Sequence, residues 1–347
     1  MKVQKKIIGH LTKCYSIAPL RWRGQEYFLV AAEKQDPCFL FDRKGNQVDT
    51  VWEGPGGVMS MAQVPGSDGV FLTTRKFYSP NDSGDAEIAA AFPKKEGGWG
   101  VKTLVKLPHV HRFDILTRNG IHYLIACTLK SGHAYKNDWS SPGKIYGAVL
   151  PDNLEDFQEG MLQMEVLKDG LLKNHGFCKL QKKDTEAALT ASDEGVFCVT
   201  PPEKRGGSWQ IEQLSAEPAS DAVLVDMDGD KEEELIYISP FHGNKICFSK
   251  KAGNTYRPVY TYEQAEFAHA IYGGELLGRP SVVIGHREGS RDLLAFTYNQ
   301  QKQEYETEIL DHDCGPANVF RFQENGRDIL VSANREINEI AMYTLNE

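Results

Sequence analysis

The sequence predicts an all-β fold, a seven-bladed β-propeller, on three observations: a recurring two-strand unit, a turn-rich and aromatic-rich composition, and a spare strand-forming segment at the N-terminus. The unit reads as an apolar strand, a tight turn, a second apolar strand and a polar loop. Its second strands are FLVAA at 28–32, VFLTT at 70–74, YLIAC at 123–127, AALTA at 187–191, LIYIS at 235–239, SVVIG at 281–285 and DILVS at 328–332. Each follows a turn sequence, in order RWRGQE, VPGSDG, TRNGIH, QKKDTE, DMDGDKEE, LLGRPS and QENGRD. The spacing of roughly 40 to 65 residues is that of a four-stranded blade carrying insertions. After the seventh unit, REINEIAMYTLNE supplies one strand where a blade needs two more, and VQKKII at 3–8 is the missing one. Borrowing it closes the ring and removes both exposed edges. Two packed sandwiches would not require a constant register. The expected organisation is one propeller domain over 1–347 with a lid-like insertion around 129–143.

Composition agrees. The chain of 347 residues is 41% hydrophobic and 25% charged, with 32 glycines, 16 phenylalanines and 14 tyrosines, a mix suited to many short strands. A net charge of −9 disfavours a phosphate-backbone binder, so nucleic acid is not expected as a partner. The N-terminus MKVQKKIIGHLTKCYS lacks the apolar run of a signal peptide, and no 18 apolar residues run together, so the expectation is a soluble cytoplasmic protein that does not enter a membrane. Seven cysteines without a CxxC or CxxH pair read as reduced residues of strand-like runs rather than zinc thiolates. There is no GxSxG, P-loop, GxGxxG or HExxH to suggest a serine hydrolase, an NTPase, a dinucleotide enzyme or a zincin.

One turn carries a signature. Asp226-Met227-Asp228-Gly229-Asp230, followed by Glu232, Glu233 and Glu234, resembles the DxDGDxxxEL repeat of FG-GAP or VCBS propellers. In calcium-binding relatives such alternating aspartates ligate the ion, which implies a calcium site at Asp226, Asp228 and Asp230. The competing reading is a plain hairpin turn, because the segment stands where other blades have NG or GS and is not repeated.

The loops at one end of a propeller surround the channel mouth and form its usual binding face. With the units aligned on their second strands, His111, His175 and His269 share one register, fifteen residues before Ala126, Thr190 and Ile284. The other units have Ser16, Val58, Val223 and Ala317 there, so histidine is not the default. Three imidazoles aimed at one axis suit a divalent metal such as zinc, manganese, iron or magnesium with open positions. The alternative is that each histidine caps its own strand.

Loops after the second strands face the same mouth. They offer substrate-binding candidates in Arg75, Tyr78, Lys130, Trp139, Arg287 and Arg335, and proton-transfer candidates in His133, Tyr135, His242 and His286. Such a cationic, aromatic rim suits a small carbohydrate, whose apolar face stacks on rings while polar groups read its hydroxyls. The insertion LKSGHAYKNDWSSPG is long enough to fold over the mouth.

A propeller with channel-facing histidines is similar to the propeller domain of the aldos-2-ulose, or anhydrofructose, dehydratase group. The resemblance implies a carbon–oxygen lyase that eliminates water or alcohol from a keto-sugar, with metal held by histidine polarising the carbonyl. The same residues would serve an isomerase or epimerase. A non-catalytic sugar-binding or protein-interaction propeller is the competing class.

Overall fold

A computed structural model of the chain describes residues 1–154 and 156–347. They form seven sheets of four strands, each with neighbouring strands antiparallel, arranged as blades round a central channel. The blades span 14–52, 61–106, 110–171, 176–215, 221–262, 268–311 and 318–346, and the last is completed by the N-terminal strand Lys2–His10. That strand runs antiparallel to Glu339–Asn346, with Lys2 opposite Asn346 and His10 opposite Glu339. The closure expected of residues 3–8 is therefore the one observed, extended at both ends. Each of the seven second strands falls where its apolar run lies, from Gln25–Ala32 in the first blade to Arg327–Asn334 in the seventh.

Local chemistry explains the hairpins. Paired positive φ angles at Asn119-Gly120 (51° and 75°) and Asn325-Gly326 (50° and 74°) give the left-handed turns that match strand twist. Arg23-Gly24 and Leu277-Gly278 adopt the same geometry, with only the second residue free of Cβ strain. Between blades, alternate apolar side chains interlock. Trp22 lies 5.2 Å from Trp99 across the first and second blades, and Tyr260 lies 5.2 Å from Tyr305 across the fifth and sixth. These partly buried rings pack against the cores of adjoining blades, and the apolar surface they remove from water helps to fix the blades round the axis.

The aspartate-rich turn of the fifth blade is tied by its own backbone. Asp226 accepts N–H bonds from Gly229 at 2.8 Å and Lys231 at 3.1 Å. Asp226, Asp228 and Glu234 bring oxygens within 4.8 Å of one another, as a cation site would require. However, the Lys250 ammonium donates to Asp228 and lies 3.1 Å from Asp230 and 3.6 Å from Glu234. The positive charge that the calcium expectation assigns to this loop is supplied by a lysine from the adjoining strand. All seven cysteines are free thiols, six of them buried.

Candidate metal centre

The mouth of the channel is built from the first residues of the innermost strands. His111 occupies a β-bulge between Val110 and Arg112, and His269 occupies another between Ala268 and Ala270. A bulge re-aims its extra residue, and here both side chains turn toward the axis. His175 reaches the same level just before the strand Gly176–Gln181, where its N–H donates to the Ala191 carbonyl at 3.0 Å. The three shared-register histidines do converge: ring centroids are 4.5 Å apart for His111 and His175, and 5.1 Å for His175 and His269.

A fourth imidazole joins them from the loop leaving the second strand of the fifth blade. His242 has a left-handed backbone (φ 49°), costly for a residue with a Cβ. Its ring lies 3.9 Å from Phe241 and 4.4 Å from Phe267, stacked on both. Its Nε2 is 3.3 Å from Nε2 of His175. Two nitrogens each 2.0–2.1 Å from a tetrahedral ion would be about 3.4 Å apart. The set of ligand nitrogens lying within 4.8 Å of one another is His175, His242 and His269. This set differs from the predicted trio: His242, expected to transfer protons, lies within it, whereas His111 lies outside it with its Nε2 facing the Tyr15 hydroxyl at 3.5 Å.

Tautomers follow from the partners. Nδ1 of His175 lies 2.9 Å from the Ser220 carbonyl, and Nδ1 of His269 lies 2.9 Å from the Ala317 carbonyl. A carbonyl only accepts, so both Nδ1 atoms carry the proton and both Nε2 atoms present a lone pair to the channel. Backbone carbonyls of the next blade thus fix ring orientation, as outer partners do for metal-binding histidines. Burial is the largest influence on charge. It lowers the His175 pKa to about 3, assisted by the Arg112 guanidinium, and drives His242 and His269 well below the ordinary value, with His175 and Arg287 as the next contributors respectively. All three are neutral near pH 7, the form a metal requires.

Tyr15 is the cavity-lining residue that the sequence alignment missed. It occupies the bulge between Cys14 and Ser16, and its hydroxyl lies 3.0 Å from Nε2 of His269. In the register set by the hairpin, Tyr15 matches His111. Aligning FLVAA one residue out of step put Ser16 there instead. The turn Arg23-Gly24, paired like Asn119-Gly120, was the signal that would have set the register.

Above the imidazoles is a cavity of about 220 Å³, lined by Tyr15, Glu33, Trp139, Phe241 and Arg287 among others. Gly57 backs the lining residue Phe77: its φ is +74°, and a Cβ there would lie 2.4 Å from the Phe77 nitrogen. Of the predicted substrate-binding residues, Trp139 and Arg287 reach the cavity. Arg287 pairs with Glu336 at 2.7 Å, and buried Arg335 pairs with Glu33 and with Glu336 at 2.6 Å, so Arg335 braces the rim. Arg75 lies 3.7 Å from Glu87, and the Tyr78 carbonyl accepts from Lys34, both away from the cavity lining.

The insertion at 129–143 folds back on itself. Lys130 is buried and donates to Asn81 at 2.9 Å and to the Asp138 carbonyl at 3.4 Å, which makes it a brace for the loop rather than a substrate ligand. Asp138 accepts from the Ala134 and Ser140 backbone N–H groups, both at 2.9 Å. From this segment Leu129 and Trp139 reach the cavity, the Trp139 ring 5.3 Å from Phe241. His133 and Tyr135 are exposed, Tyr135 by 68%, and neither lines the cavity. His286 is buried with both nitrogens engaged, Nδ1 on the Glu288 carbonyl at 3.0 Å and Nε2 accepting from the Asp292 N–H at 3.1 Å. The proton-transfer expectation for these three thus lacks a path to the cavity.

Beneath the same loop, His109 bonds Ser83 at 2.7 Å, and burial, then Lys130 and His133, lower its pKa to about 4. Its unfolded form protonates below pH 6.5 while the folded form stays neutral, so stability falls as pH drops from about 6.5 toward 4. Urea unfolding at pH 7 and pH 5 should show a smaller acid loss for His109→Gln than for the parent. An equal loss would remove His109 from the acid response.

No family model matches this chain, and no curated protein matches it in sequence. Solved structures do. A streptogramin B lyase is 16% identical over 99% of this chain and 98% of its own, with a TM-score of 0.55. The periplasmic gluconolactonase of Pseudomonas aeruginosa is 12% identical over 96% and 92%, with a TM-score of 0.59. The Cps50 (Swd1) β-propeller domain of Myceliophteria thermophila is 8% identical over 99% and 100%, with a TM-score of 0.62. At these identities the likeness is one of architecture, and it places this chain among the β-propellers.

Proposed function

We propose that this propeller is a divalent-metal enzyme that acts on a keto-sugar as a carbon–oxygen lyase, with the metal held by His175, His242 and His269. The observation that carries this reading is the meeting of three neutral imidazole nitrogens at the channel mouth, two of them with Nδ1 anchored on backbone carbonyls. Four-coordinate catalytic sites commonly use three protein ligands and leave a position open. Bound there, a divalent ion would supply Lewis-acid polarisation of a substrate carbonyl.

The chain's own residues do the rest. Trp139, from the loop at 129–143, and Phe241 offer ring faces and edges to the apolar side of a sugar, and their packing against each other shields the reacting carbon from water. Glu33 and Arg287, on opposite partners of a balanced ion-pair set, can accept from and donate to hydroxyls. Tyr15 Oη, between Nε2 of His269 and Nε2 of His111, is the atom placed to hold or move a proton inside the cavity. In the elimination, a C–H proton leaves next to the carbonyl, a C=C bond forms, the C–O bond breaks, and the departing oxygen takes a proton.

The gluconolactonase that shares this ring supports a propeller scaffold for sugar chemistry, and the resemblance to anhydrofructose dehydratase supports the elimination. Free thiols throughout fit a reducing, cytoplasmic setting. The test is incubation of purified protein with 1,5-anhydrofructose and 3-keto-glucosides, followed by mass spectrometry, with and without chelation. Loss of water or alcohol that stops on chelation and returns with metal is expected. A product of unchanged mass would indicate the isomerase or epimerase, and binding without turnover that survives chelation would indicate a sugar-binding module.

A further inference from the structure

Further along the innermost strands lies a second cavity of about 330 Å³. Its walls come from the innermost strands of the third to seventh blades, and His269 is the one imidazole that borders both spaces. Two charged side chains line it without forming an ion pair with each other. Arg112, from the third blade, gives one N–H to the Met59 carbonyl at 2.8 Å, while its Nε is buried with no acceptor. Among the described residues no carboxylate lies within ion-pair distance of this guanidinium.

Asp221, from the fifth blade, is only 4% exposed. One carboxyl oxygen accepts the Phe177 and Ala222 N–H groups at 3.1 and 3.0 Å, and the other makes no hydrogen bond among the described residues. Burial pushes its pKa up to about 7, against the pull of Arg112. Asn318 and Tyr272 add polar atoms to the same wall.

A half-buried guanidinium with no carboxylate partner, set 5.6 Å from the Tyr15 ring centroid, and a buried carboxyl with one free oxygen are each costly unless something completes them. They are too far apart to complete one another, and the space between them is large enough for a small molecule. Arg supplies a fork of donors that suits an oxyanion. A carboxyl with one free oxygen exchanges a hydrogen bond with a hydroxyl. Lys179 also borders the cavity, but it is neutralised by Glu186 at 3.0 Å and does not add a free cation.

From this geometry we propose that the inner channel is a second ligand site, distinct from the histidine centre, that binds a small hydroxy acid with its oxyanion on Arg112 and a hydroxyl on Asp221. The site does not depend on the proposed reaction, because none of its anchoring atoms belongs to the histidine trio.

Isothermal titration of the full-length protein with gluconate, inorganic phosphate and glucose tests it. Gluconate should bind tightest, at least about tenfold better than phosphate or glucose. Arg112→Gln should weaken gluconate at least tenfold and Arg112→Lys should restore part of the loss, while Asp221→Asn should weaken gluconate but not phosphate. Melting curves verify that each variant is folded. His175→Ala, which dismantles the metal centre, should bind gluconate as the parent does. Failure of gluconate to bind, equal binding of all three probes, or binding lost in His175→Ala yet kept in Arg112→Gln would each overturn the second site, and none of these results bears on metal-dependent turnover.

Discussion

Replacing His175 with alanine should lower affinity for zinc or manganese by at least about 100-fold and abolish turnover, with little change in the melting temperature of the metal-free protein. The magnitude follows from coordination: loss of even an outer partner of a metal ligand commonly costs 10- to 100-fold, and His175 is placed as the ligand itself. His175 is also the pivot of the cluster, 3.3 Å from His242 through Nε2 and anchored on Ser220. The small stability change follows because the side chain ends a loop at the cavity floor, and its removal relieves the burial of polar imidazole groups packed against one another. His111→Ala should differ. Its Nε2 faces Tyr15 rather than the trio, so metal content should stay near the parent's while turnover falls. Equilibrium metal titration and elemental analysis of both variants separate the two roles, and equal metal loss in both would return His111 to the ligand set.

Deleting residues 1–10 should destabilise the protein by roughly 5 kcal/mol or more, much of the 5–15 kcal/mol typical of folded proteins. The deleted strand supplies a full antiparallel ladder to Glu339–Asn346, and each net hydrogen bond is worth about 0.5–1.5 kcal/mol. Val3 and Ile8 pack on the cores of neighbouring blades, and Lys5 bridges Asp311 at 2.7 Å and Glu339 at 2.8 Å. The deletion also bares the strand Glu339–Asn346 as an edge, which invites pairing between molecules. Chemical denaturation and light scattering should show an earlier transition and larger particles. A truncated protein that unfolds with the parent's midpoint and remains monodisperse would contradict ring closure as a source of stability.

The architecture was legible because it depends on repetition. Each second strand is a short apolar run between turn residues, and sheet burial demands that pattern in every blade, so seven imperfect copies reinforce one another. The N-terminal strand was legible for the same reason, as the piece missing from the last copy. Convergence of His111, His175 and His269 was also readable, since a shared register in a ring means a shared axis.

What escaped depended on single-residue geometry. Tyr15 was hidden by a one-residue alignment slip that a β-bulge makes easy, because the bulge inserts a residue without altering the apolar pattern. His242 was visible as a mouth residue, but its place beside His175 comes from a left-handed backbone and two stacked phenylalanines in a loop with no repeating counterpart. His133, Tyr135 and Lys130 lie in the segment between the strands Ile121–Thr128 and Gly143–Val149. Its internal hydrogen bonds through Asp138, which point Trp139 inward and the others away, have no period to read.

The most direct measurement of the central claim is X-ray absorption at the zinc edge of protein loaded with one equivalent of zinc. Three imidazole nitrogens at about 2.0–2.1 Å, with the remaining position filled by a light atom from solvent, are the expected first shell. The His242→Ala protein should show one imidazole fewer. Zinc surrounded only by oxygen, or an imidazole count unchanged by removing His242, would contradict a centre built from His175, His242 and His269.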